Sequence, residues 1–309
     1  MAVLPSTPDL EQLRRQAKEL LASAKEGNPS ALARIESVSP RLILSSAQLA
    51  LAREYGFSSW PKLKLEVERR RILDARDLER LTALISGDPT LATSSMDNWC
   101  DHPIGASPLG YVTMLRFDTT HNVWRDVEGT GGMARALIAA GARIDGEHGD
   151  SETPLMTAAS YGDAEVARVL IEAGAALDQR ASDEAGGVPG GTALLHAAVF
   201  GMTDVLDVLV AAGAQVHGIE EGAAAGDITG WLTAETPADA RTRALVMASD
   251  HQRLDVIDEL IAAGTRVDAT DPILVVIRFA PPPETVDPTA FAVCWRMAPI
   301  PTWQTPITI

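Results

Sequence analysis

Ala136-Leu-Ile-Ala-Ala-Gly-Ala142, Val169-Leu-Ile-Glu-Ala-Gly-Ala175, Val208-Leu-Val-Ala-Ala-Gly-Ala214 and Glu259-Leu-Ile-Ala-Ala-Gly-Thr265 are four endings of one pattern. Self-similarity of this kind decides the architecture before any local motif is weighed, because one unit recurs along the chain. Gly141 and Gly174 lie 33 residues apart. The wider gaps from Gly174 to Gly213 and from Gly213 to Gly264 require insertions or an additional unit. In each copy an apolar helical stripe runs into a Gly that can take the left-handed conformation ending a helix.

Around these endings the chain carries Thr153-Pro154-Leu155, Ala158-Ala159, Gly162 and Leu170-Ile171-Glu172-Ala173-Gly174-Ala175. Thr caps a helix, Pro presets its first turn, Leu fills the space between neighbours, and paired Ala lets two helices approach closely. These residues resemble the ankyrin-repeat family, and the resemblance covers about residues 73–268. It implies an all-α solenoid of stacked helix pairs, since no single unit can bury its apolar face alone. The best-formed units are 152–178 and 191–217, with an interrupted one from Ser107 to Asp145. Residues 73–85 read as a helix pair without its turn, 218–232 as a truncated pair, and 241–268 as the last unit. The family places His after Pro-Leu. Here Gly110, Met156, Leu195 and Val246 stand there instead, which predicts less rigid turns. His196 falls one position later and reads as a core histidine.

The organisation expected is an N-terminal helical module over 1–71, an array of about five units over 72–268, and an irregular Pro-rich tail over 269–309. In the module, Asp9 caps a first helix and Gly27-Asn28-Pro29 ends it. Ser46 opens a third helix that stops at Gly56, and Ser59-Trp60-Pro61 starts a fourth. The stretch Ala47-Gln-Leu-Ala-Leu-Ala-Arg-Glu-Tyr-Gly-Phe-Ser-Ser-Trp-Pro-Lys-Leu63 resembles a module that precedes ankyrin repeats in certain bacterial proteins.

The tail changes composition. From Pro272 onward there are three consecutive prolines, no Gly, and neither helical nor strand periodicity. Joining the third base of each codon to the first two of the next gives a different text. Cys294/Trp295 must then read Leu, Met297/Ala298 Gly, and Trp303/Gln304 Ala. Phe291 to Ile307 is compatible with R-R-L-L-A-H-G-A-D-P-N-L-A-D-P-D, and Val275 to Asp287 with R-H-P-L-R-T-A-A-G-N-G-R. That is another unit in the right order, and it predicts a single-base insertion or deletion near Pro272. A stack ending bare would self-associate through its last repeat.

Composition narrows the function classes. The chain has 26 basic and 42 acidic residues and a net charge of −16, which repels phosphate backbones and favours a basic or mixed protein partner. Aromatics make up only 5%, which suits closely apposed helices better than a deep cofactor pocket. Two cysteines, Cys100 and Cys294, are too few for a disulfide framework or a thiolate zinc module. With no basic-then-apolar start and no apolar run of membrane-spanning length, the expected location is the cytoplasm. Cys100, Asp101 and His102 are too close in sequence to converge on one ion. No Gly-x-Ser-x-Gly elbow occurs, and the glycine clusters 129–132 and 186–191 lack the Lys-Ser/Thr ending of a phosphate loop, reading as flexible insertions. Neither a catalytic residue, a metal nor a cofactor is expected.

The expected function is protein recognition through turn tips and the exposed edge of each unit's first helix. Tyr161 and Phe200, with Met156, Ser160, Leu195, Val199, Asp250 and His251, form the candidate contact set, since aromatic anchors are enriched at interfaces. Glu147-His148 and Asp183-Glu184 supply an acidic rim. The alternative is DNA association through residues 47–71, where two helices meet at a turn and Lys62, Lys64, Arg69, Arg70 and Arg71 follow. Phe57, Trp60 and Leu63 at that turn equally suit packing onto the first repeat.

Overall fold

In the computed structural model, residues 4–5, 8–96, 106–118 and 123–268 are described; the tail from 269 and the loop carrying Cys100 to His102 lie outside them. The chain begins with α1 (Leu10–Lys25), α2 (Pro29–Glu36), α3 (Leu44–Glu54) and α4 (Trp60–Ala75). Asp9 accepts from the Glu11 amide at 2.8 Å, Asn28 from Ala31 at 3.1 Å and Ser59 from Lys62 at 3.4 Å, so three of these helices start where a capping side chain stands. For α3 the expectation differs: it opens at Leu44 without a side-chain cap, and Ser46 sits buried inside its first turn. Leu20, Ala24, Ala31, Ile35, Ala47 and Ala50 close a small core among the first three helices.

The module is not sealed off from the array. Leu13, Ala17, Leu51, Ala52, Leu63 and Val67 belong to the same apolar core as residues of the later helices. Position 71 falls inside α4, which continues to Ala75. The backbone then turns through a left-handed Arg76 (φ 53°) into α5 (Leu78–Gly87). A 3-10 turn (Pro89–Ala92) and the short α6 (Pro108–Val112) come next. Within the insertion at 116–130 lies a two-rung antiparallel ribbon, β1 (Phe117–Asp118) on β2 (Val123–Trp124), leading to α7 (Thr130–Ala139).

The regular units are α8 (Pro154–Tyr161) with α9 (Ala164–Glu172), and α10 (Ala193–Phe200) with α11 (Thr203–Ala211). Gly162 and Gly201 end α8 and α10 at φ 70°, the conformation a side chain would strain. Then come α12 (Ile219–Ala225), α13 (Ala238–Asp250) and α14 (Leu254–Ala262). Helices α6, α8, α10, α12 and α13 pack side by side as one row, and α5, α7, α9 and α11 as a second. Residues 218–232 thus form only the first helix of a unit, and its partner in the second row is replaced by turns. Leu155, Leu170, Leu194 and Leu209 are buried between the rows, each contributing roughly 1.5–3 kcal/mol of burial. A second core of Ile219, Ala223, Ala244, Ala248, Val256 and Leu260 joins α12 to α14.

Candidate recognition surface

The polar links between units determine which side chains remain available to a partner. Asp145, at the end of one turn, accepts from the Ala176 amide of the next at 2.9 Å, and Asp178 does the same for Gln215 at 2.8 Å. The Thr130 hydroxyl donates to Asp163 at 3.0 Å, and Thr192 to Glu221 at 2.8 Å. These carboxylates tie the turns together where the family's histidine is missing. The looser turns expected from its absence are therefore bridged by another route.

Burial of these groups shifts their protonation. His196 is fully buried with Nδ1 2.8 Å from Ser160 Oγ, and burial pushes its pKa down to about 4 against the opposing Val188 carbonyl. Asp163 is raised by burial, although the Val166 amide, the Thr130 hydroxyl and Arg116 pull the other way. Glu152 is raised by burial too, opposed by the Gly187 amide donating to it at 2.8 Å.

The insertion at 181–191 is a packed element. Ala181, Ala185 and Val188 are buried, Ala181 donates to the Gly191 carbonyl at 2.8 Å and Ser182 to Ser151 at 2.9 Å. Gly187 is required by close approach: a Cβ there would stand 2.8 Å from Glu152 Oε1 and 2.9 Å from His196 Cε1. Its glycine cluster, expected to be a flexible lead-in, therefore folds back onto the preceding turn.

The structure divides the eight candidate contact residues. Met156, Ser160, Val199, Phe200 and His251 are buried and hold units together. His251 shows why: its Nδ1 lies 2.8 Å from Thr203 Oγ1 and its Nε2 3.1 Å from the Ala198 carbonyl, so it joins the end of α13 to the unit two helices back. Burial lowers its pKa, with the Ala198 carbonyl opposing. Tyr161, Leu195 and Asp250 stay partly exposed at the edge of the first row. Burial of a residue in a short helix depends on how near the next unit comes, and spacing within one unit does not carry that distance. Residues that were not singled out complete the surface: Asp150 and Ser151 at one tip, Gln179 and Arg180 at the next, all exposed. His148, Asp183 and Glu184 are exposed as expected of the rim, while Glu147 is partly covered and lies 3.7 Å from Arg143.

A family model for ankyrin repeats, in three copies, matches residues 127–218. This stretch is an ankyrin-repeat array. The chain is also similar to the crystal structure of the human ASB11 ankyrin repeat domain, at 17% identity over 72% of this chain and 96% of that one, with a TM-score of 0.41. A comparison with curated proteins finds no match. Over residues 127–218 the described helices form the all-α ankyrin fold that the family model marks, and the ribbon at β1–β2 precedes them as a decoration.

In the segment 47–71, Lys62 and Arg71 stay exposed, but the two arginines between them are used internally. Arg69 is only 2% exposed. It donates to Glu66 at 2.8 Å and to the carbonyls of Leu91, Ser94 and Ser95 at 2.9–3.1 Å, pinning the 3-10 turn. Arg70 is buried over the Tyr111 ring at 4.4 Å and bonded to Asp74 at 3.1 Å. Phe57 and Trp60 pack against the core and Leu63 lies within it. On the second row, a groove of about 710 Å³ between α5 and α7 is lined by Leu78, Thr82, Ile85, Gly132 and Arg135. Its one cation, Arg135, pairs with Glu172 at 2.9 Å. Among the described residues no three His, Cys, Asp or Glu side chains cluster as a metal site, and no helix is long and apolar enough to cross a membrane.

Proposed function

We propose that this chain is a non-catalytic recognition scaffold that binds a protein partner of basic or mixed charge along the turn tips and first-row edge of its ankyrin array. Ankyrin repeats are in general protein-interaction modules. The observation that carries the reading is the arrangement of the surface. Tyr161 and Leu195 stand partly exposed on successive first-row helices, beside tips bearing Asp150, Asp183 and Glu184. An aromatic and an aliphatic anchor inside a charged rim match the anatomy of a standard interface. A net charge of −16 disfavours nucleic acid and accelerates encounter with cationic surfaces. A cytoplasmic location, where thiols stay reduced, fits the two cysteines.

The test is capture from a soluble extract with the wild-type chain and with Tyr161→Ala/Leu195→Ala, whose fold is checked by circular dichroism. The partner retained by the wild type is expected to be lost or weakened at least about tenfold, the cost of truncating one hot spot. A second variant, Asp183→Lys/Glu184→Lys, is expected to slow association and reduce its salt dependence. Unchanged capture by both folded variants removes this face from consideration.

A further inference from the structure

The last described unit exposes apolar side chains at positions where an ankyrin unit meets its successor. After the glycine that ends each second helix, Ile144, Leu177 and Val216 are partly buried against the core, whereas Val267 at the same place is 61% exposed. In α14, Ile261 is 42% exposed and Leu254 70%. Ile138 and Ile171, in the register of Ile261, are partly buried, and each is followed by another second-row helix. Val210 provides an internal control. It has the same register on α11, whose following unit lacks a second-row helix, and it is 39% exposed. Exposure at this register therefore reports a missing neighbour.

The polar link shows the same gap. Asp145 and Asp178 reach forward to an amide of the next turn, but Asp268, their counterpart, pairs with Arg266 of its own turn at 2.9–3.0 Å. The face thus offers an apolar patch and a carboxylate to one more unit of the same kind.

The residues beyond this turn are compatible, in a shifted frame, with codons for such a unit. In the shifted frame, the Gly forced at the Met297/Ala298 boundary falls one 33-residue repeat beyond Gly264, the spacing that separates Gly141 from Gly174. The Leu forced at Cys294/Trp295 falls in the helix that this Gly would end. We propose that the outer face of α14 with the turn at 264–268 is the seat of a further ankyrin unit, and that this unit is the one encoded over codons 275–307 in the shifted frame. The amide two residues after its Gly is then the partner of Asp268, as Ala176 is of Asp145.

Three measurements test this. Resequencing the gene is expected to reveal a single-base insertion or deletion near Pro272, and an intact frame there overturns the encoded unit. Hydrogen exchange compares the 309-residue chain with a frame-restored chain carrying the shifted peptide from 272 onward. Amides of α14 and 264–268 are expected to exchange at least about tenfold more slowly in the restored chain, and Asp268→Ala should reverse the protection of the turn only there. Equal protection in the two chains overturns the proposal, since the tail or a second copy then already covers the face. Should the restored chain fail to fold, Leu254→Glu/Val267→Glu in the 309-residue chain still decides. At concentrations where the chain is monomeric a bare face predicts a melting shift under about 2 °C, and a loss of several degrees there overturns it.

Discussion

Single buried polar residues carry more of this fold than its repeat signature suggests. Arg69 donates to three carbonyls and to Glu66 from one guanidinium, so Arg69→Met removes all of these bonds at once from a buried site. Urea titration is expected to show a loss of roughly 3–5 kcal/mol, the cost of breaking a buried pair from one side. His196 makes the fold sensitive to acid. Its folded pKa of about 4 lies below the 6.5 of an unfolded histidine, so the unfolded chain binds the extra proton. The stability tied to its neutral form is complete above about pH 6.5 and falls by roughly 1.4 kcal/mol per pH unit as the pH drops toward 4. His251 acts in the same sense, while the raised Asp163 and Glu152 act oppositely, gaining stability as they protonate. The diagnostic is therefore a difference: His196→Gln should flatten the pH 7 to pH 5 slope relative to wild type. An unchanged slope would show that this ring does not titrate as its burial implies. The core placement of His196 was legible from its register. The inward turn of Met156, Val199 and Phe200 was not, because it depends on the separation between neighbouring helices.

At the scale of elements, the helix starts read at Asp9, Ser59 and Thr153 each accept an amide, and Asn28, Ser107 and Thr192, which were not singled out as caps, do the same. The reading failed at α3, where no polar cap is used and Ser46 is taken into the core. The turns were expected to be loose without the family histidine, yet Asp145 and Asp178 tie each to the next. Asp178→Ala should cost about 1–2 kcal/mol and speed exchange of the Gln215 amide, leaving α8 amides unchanged. The glycine cluster at 186–191 looked flexible by composition, yet it belongs to a packed loop over 181–191. Its buried Ala181, Ala185 and Val188 show that a loop made of small residues can still supply packing surface.

Over the whole molecule, 42 acidic side chains against 26 basic ones make the stack repel itself. Raising salt from about 50 to about 500 mM shortens the Debye length below the spacing of most surface charges. The melting temperature is expected to rise by a few degrees, and a fall would mean that surface ion pairs outweigh the net repulsion. The array architecture was legible from the recurring Leu-Ile-Ala-Ala-Gly endings alone, because a repeated apolar stripe closed by Gly admits few structures other than stacked helix pairs. The continuous core from α1 to α13, the half-unit at α12 and the internal use of Arg69 and Arg70 were decided by tertiary structure. A local pattern fixes which face of a helix is apolar. Only packing settles how close the next helix comes, and hence which residues of that face a partner can still reach.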